Sequence, residues 1–247
     1  MRQEFDAVQL KARKKRTILS ALISFILIPL TIFVGIVFLD DQRYLLVSLF
    51  IVVYTMIPFF LVYENRKPKA REIVTIAMMS AIVVFFNMIS YMMTPFQPGT
   101  ALVIITGIAF GPEAGFLTGA LARLILNVFM QQGPWTPWQM FGFGLIGFLA
   151  GVLFRPGALP RGRVALCVYG GLSTLILYGA IVNFGSLLMF GSTALNWAGL
   201  LAVYASGLPF DLVHAAATVL FLAILGPAMI EKLERLKRKY GLLETAA

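Results

Sequence analysis

The chain has 247 residues, 60% of them hydrophobic and 13% charged, with a formal net charge of +9. A soluble domain carries about a quarter charged residues, and no soluble core of this length hides so much apolar surface, so a water-soluble enzyme or binding module is excluded. The cations gather in short tracts between apolar runs, where they meet anionic lipid rather than nucleic acid.

In chain order, a basic segment (1–16) precedes a first apolar run, Thr17 to Phe38. It resembles a signal peptide but lacks a convincing small-residue cleavage site, and reads as a retained helix. Tyr44 to Tyr63 is the second span, across the polar turn Asp40 to Arg43, so 17–72 is a two-helix transmembrane hairpin with its charged connector. Six further candidates follow in 73–229: Ile73 to Met93, Thr100 to Phe110, Gly115 to Met130, Gln139 to Phe154, Val164 to Leu188 and Leu208 to Met229. Most are long enough to cross a ~30 Å hydrocarbon layer as a helix. Thr100 to Phe110 is too short, and Pro95, Pro98 and Gly99 before it disfavour regular helix, so it reads as a short helix beside a binding loop. The tail 230–247 is basic and amphipathic, with Ile230, Leu233, Leu236 and Tyr240 on one stripe and Glu231/Arg235 and Glu234/Arg238 four apart. It suits either the inner leaflet or solvent. With eight spans, the tracts Lys11 to Arg16, Arg66 to Arg71, Arg155 to Arg163 and Lys232 to Lys239 all fall on one side, which the positive-inside rule makes cytoplasmic, together with both termini.

The chemistry is sparse. No GxxxxGK[ST] loop, HExxH or CxxC occurs, and one histidine and one cysteine (His214, Cys167) make no metal or disulfide site. No intrinsic cofactor is expected. Small residues stand four apart at Ala77/Ala81, Gly107/Gly111, Gly115/Gly119 and Gly147/Gly151, each pair a flat stripe for close backbone approach, within the bundle or to a partner. Ala77 and Ala81 lie just after a basic tract, where a partner could dock. The loop Gln131 to Trp138 offers Trp135 and Trp138 on a proline-stiffened frame, either as interfacial anchors or as an apolar wall for a ring system. Arg123 falls inside a span, at a cost of roughly 2.5–3.5 kcal/mol on the insertion scale. It reads as a structural buried charge paired with Asp211 or Glu113, with direct ligand contact as the alternative. The segment Gly207 to His214 reads as a helix start, with Asp211 and His214 on one face, either as cap and satisfied polar residue or as ligand contacts.

These residues resemble a known family, the substrate-binding S components of energy-coupling factor (ECF) transporters, the bacterial vitamin importers. The resemblance covers roughly Arg71 to Tyr240 and rests on Ala77/Ala81, on AFGPEAG (Ala109 to Gly115), on GPWTPWQMFGFGLIGFLAG (Gly133 to Gly151) and on LPFDLVH (Leu208 to His214). It implies an all-α integral membrane protein, a six-helix bundle here preceded by a hairpin, that captures a vitamin-like compound from outside. It also implies a transmembrane coupling subunit contacted by Ala77 and Ala81, and two ATPase subunits that use ATP. Ligand contacts map onto Asn127, Trp135, Trp138, Gln139, Asp211 and His214. The sub-pattern looks nearest to cobalamin S components, with queuosine precursors, riboflavin and other vitamins open. Rival readings are an autonomous secondary transporter, which would need inverted repeats, and a membrane enzyme using Asp211 and His214, for which no nucleophile is placed.

Overall fold

The computed structural model describes residues 18–39, 50–51, 53–54, 57, 70–93, 96–189 and 196–242. All regular structure among them is helical. The expected basic segment 1–16 and most of the second span fall outside the described residues. The elements are α1 (18–39, with a π-helical stretch Ile23–Leu27), α2 (Ala70–Met93), α3 (Gly99–Phe110), α4 (Pro112–Met130), α5 (Trp135–Leu153), α6 (Arg163–Met189, with a π-helical stretch Ser173–Tyr178) and α7 (Trp197–Tyr240). Six of these are long and apolar enough to cross a membrane, and α3 is the short seventh.

From α2 onward successive helices reverse direction. One end of the bundle therefore gathers the α2–α3, α4–α5 and α6–α7 connections, here the tryptophan end, and the other gathers the basic tracts, here the basic end. All twelve residues of α3 are buried, which is how a helix too short to span comfortably is kept from lipid: it runs inside the bundle, against α4, α5 and α7. Gly111, at φ 109°, lets the chain turn from α3 into α4, a backbone region that side chains with a Cβ rarely adopt.

The four-spaced glycines account for the most extensive packing, α4 on α5. A Cβ on Gly115 would stand 2.5 Å from the Gly147 carbonyl oxygen, and one on Gly151 would stand 2.5 Å from the Pro112 nitrogen. Backbones therefore touch where side chains are missing. Helix α1 lies over α4 and α5, with Ile23, Ile28 and Ile32 against Phe116, Met140 and Leu145, and with Phe25 edge-on to Phe148 at 6.4 Å. Ser20 donates to Glu113 at the basic end, at 3.2 Å.

Two expectations about the last helix are corrected. It begins at Trp197, not Leu208: Asn196 is the cap, its side chain accepting from the Gly199 N–H at 2.9 Å, and Pro209 sits inside the helix. The tail continues this helix and packs back on the bundle. Ile230 and Leu233 are buried, Lys237 donates to the Ala109 carbonyl, and Arg161 reaches across to pair with Glu234. The Glu231–Arg235 pair forms, whereas Glu234 takes Arg161 in place of Arg238.

Candidate functional site

Helix α4 ends at the tryptophan end on Gln131, whose φ of 120° makes it the one positive-φ residue other than glycine among those described. Such a conformation costs on the order of 1–3 kcal/mol and persists when its surroundings fix it. Asn127 does much of that fixing. Its side-chain amide nitrogen donates to Thr136 Oγ1 (3.1 Å) and Gln139 Oε1 (3.0 Å), while its backbone carbonyl accepts from the Gln131 N–H (2.9 Å). Thr136 in turn donates to Gln132 at 2.9 Å.

The expected tryptophan loop is therefore the first turn of α5, a correction that follows from the proline at each of two positions an opening helix tolerates: Pro134 caps it and Pro137 lies in its first turn. Trp135 folds over Gly133. Trp138 lies against Gly185, where an added Cβ would be 2.6 Å from the indole, and meets Phe184 edge-on at 6.0 Å. Both indoles are half-buried within the protein rather than forming a free wall.

Beneath this turn is a buried aromatic cluster around Arg123. The guanidinium lies 4.0 Å above the Phe143 ring and 5.6 Å from that of Tyr178, and its Nη2 donates to Gln97 Oε1 at 2.8 Å. Phe143 and Tyr178 are 5.1 Å apart, and His214 is 5.9 Å from the first and 5.2 Å from the second. His214 Nε2 shares a hydrogen bond with Thr100 Oγ1 at 2.7 Å. Tyr178 closes the π-helical stretch of α6 and rests over Gly142 of α5, beside Phe143.

The expected ion pair of Arg123 is not formed. Glu113 lies ten residues away on the same helix, about 15 Å at 1.5 Å per residue, and accepts from Ser20. Asp211 accepts from Asn183 Nδ2 at 2.7 Å and faces Gly179 on α6. A guanidinium is planar and weakly hydrated, so ring faces replace the carboxylate as its neighbours. Asp211 and His214 likewise do not converge: the first turns to α6, the second to α3. Thr100, Phe143, Tyr178 and Asn183 were not among the expected site residues. Asn183, an amide inside an apolar span, carried a signal, while Phe143 and Tyr178 read as ordinary span residues.

On the bundle's outer face Ala77 and Ala81 are both exposed, with Val74, Met78 and Phe85 beside them. They differ in this from Gly107, Gly115, Gly119, Gly147 and Gly151, which are buried, while Gly111, expected to pair with Gly107 in a stripe, is instead the half-buried turn into α4.

A short helix sealed within a bundle of long apolar helices, with a polar and aromatic cluster at one end, defines a multi-pass membrane protein. A model of the family described as the S component of the ECF-type riboflavin transporter matches residues 67–234, and the chain belongs to that family. It is a family of transport subunits, not of enzymes. The chain is also similar to UPF0397 proteins. One from Vibrio atlanticus is 26% identical over 48% of this chain and 68% of its own, and one from Lactococcus lactis subsp. cremoris is 25% identical over 61% and 80%. One from Aliivibrio fischeri is 23% identical over 69% and 94%. No solved structure matches.

Proposed function

We propose that the chain is the substrate-capturing membrane subunit of an ECF-type importer, taking a flat-ringed, vitamin-like compound at the tryptophan end for uptake driven by partner ATPases. The observation that carries this reading is the contrast between small-residue stripes. Two glycine pairs, Gly115/Gly119 and Gly147/Gly151, and Gly107 are consumed by packing inside the bundle, whereas Ala77 and Ala81 stand open on α2 beside the basic end. An open stripe of small residues in a membrane helix suits close approach by another helix, here the coupling subunit. The basic tracts at that end support a cytoplasmic placement for it and for both termini, in a bacterial cell membrane, with the tryptophan end outside.

The ligand would lie among the Gln97 turn, Asp211, His214 and the α4–α5 turn, with Asn127, Gln139, Trp135 and Trp138 fixing the last of these. Riboflavin is favoured over the cobalamin corrin, because the indoles expected to wall a wide ring are engaged with Gly133, Gly185 and Phe184. That agrees with the riboflavin in the family's description, and riboflavin is the first vitamin to titrate. The experiment is purification of the tagged chain from cells expressing an ECF module. ATPase subunits should copurify, and riboflavin and cobalamin should be titrated against the same preparation. Solute uptake by the chain alone in proteoliposomes would replace this reading with a secondary transporter.

A further inference from the structure

We infer that the site at the tryptophan end takes an anion, a flat-ringed compound bearing a carboxylate or phosphate whose oxygens are received by Arg123 and Asn87. This rests on the reading of the chain as a substrate-capturing subunit but departs from neutral riboflavin, which carries neither group, so tight binding of riboflavin with no response to any anion would overturn it.

Arg123 is 5% exposed and Asn87 is 1% exposed. Each has a buried donor with no hydrogen-bond partner among the described residues, Arg123 Nε and Asn87 Nδ2. Nearly all buried donors in folded proteins are satisfied, so each of these requires an acceptor. Both residues are tied to one short turn. Arg123 Nη2 donates to Gln97, and Asn87 Oδ1 accepts from the Gly99 N–H at 2.9 Å. The two unmet donors thus flank the same few residues at the entrance to α3.

The charge is also unanswered. Asp211 is engaged by Asn183, and the other described acids, Glu72, Glu113, Glu231 and Glu234, lie at the basic end of their helices. The Phe143 and Tyr178 rings lower the cost of the guanidinium and carry no charge, and although the Tyr178 hydroxyl also interacts with it, Nε keeps no acceptor. A planar guanidinium beside aromatic rings, short of an acceptor, is matched by an oxyanion on a flat ring.

The test is thermal unfolding of the full chain in nanodiscs, with benzoate, phenyl phosphate and the neutral benzamide as probes. At least one anion should raise the unfolding temperature at a concentration roughly tenfold below that needed for benzamide, as charge-assisted pairing predicts. Benzoate alone would assign a carboxylate ligand, and phenyl phosphate alone a phosphate. Gln97→Glu places a carboxylate within reach of Nη2, and should raise the unfolding temperature without ligand and abolish the anion response. Arg123→Met should unfold no earlier than the unaltered chain and also lose that response. Equal or absent effects of all three probes, an anion response surviving in Arg123→Met, a marked fall in its stability, or no gain from Gln97→Glu would each overturn the inference. Copurification of ATPases with the unaltered chain, read separately, reports on the transport reading and not on this one.

Discussion

An indole half-buried between helices does different work from one waiting at a surface. Trp138 fills the space that Gly185 leaves and meets Phe184, so Trp138→Ala should act first on the fold. Fully buried Trp→Ala changes cost about 3–5 kcal/mol, and for this half-exposed side chain about 2 kcal/mol is expected, measured as a lower unfolding temperature of purified protein. A loss of ligand affinity with unchanged unfolding would return Trp138 to the ligand surface. Thr100 makes a second case. Thr100→Val keeps the shape but leaves the buried His214 nitrogen without its 2.7 Å partner, at a cost of about 1–3 kcal/mol. An unchanged unfolding temperature would mean that the imidazole has another partner.

Helix α2 exposes its small residues while the α4–α5 pair buries them, and substitution separates the two settings. Gly147→Ala would set a Cβ 2.6 Å from the Gly115 carbonyl oxygen, a clash with backbone that no rotamer relieves, whereas Gly162→Ala meets nothing within 4 Å. The first should sharply reduce the monodisperse yield in size-exclusion chromatography and the second should leave it intact. Ala77→Trp and Ala81→Trp, on an exposed face, should preserve yield and ligand binding by the isolated chain while abolishing uptake and ATPase copurification. Loss of isolated binding in step would mean the face packs within the protein. The stripes themselves were legible in the sequence, since spacing by four is a local property. Which stripe lies inside was not, because that depends on how α3, α4 and α5 come together. The same limit explains Arg123, where a carboxylate was the obvious partner in one dimension and an aromatic cluster is the partner in three. The start of α7 was misread for a different reason: Pro209 has the composition of a first turn, yet packing carries the helix through it from Asn196.

At the scale of the molecule, α1 covers α4 and α5 and leaves the Ala77/Ala81 face of α2 open. The family match also begins at residue 67. A chain starting at residue 67 should therefore still bind ligand and copurify with ATPases, with a lowered unfolding temperature from the uncovered Phe141 and Phe148. Loss of copurification at normal ligand affinity would assign α1 to the partner interface. Six of the expected crossings and the short buried α3 were readable from apolar length and from the prolines before Gly99, because hydrocarbon thickness imposes them on any sequence. The forty-four residues of α7 would extend about 66 Å at 1.5 Å per residue, twice that thickness. Its internal prolines, Pro209 and Pro227, stand eighteen residues apart, about 27 Å on the same measure. Each ring leaves a carbonyl four residues earlier, on Ala205 and on Ala223, without its helical hydrogen bond. A stretch matched to the bilayer is thereby marked off by two softened joints close to where water can reach the freed oxygens. The helix is in effect three rods on one thread: a middle carrying His214, and two arms each fastened to the bundle, one by Tyr204 on the Ala180 carbonyl and the other by Lys237 on the Ala109 carbonyl.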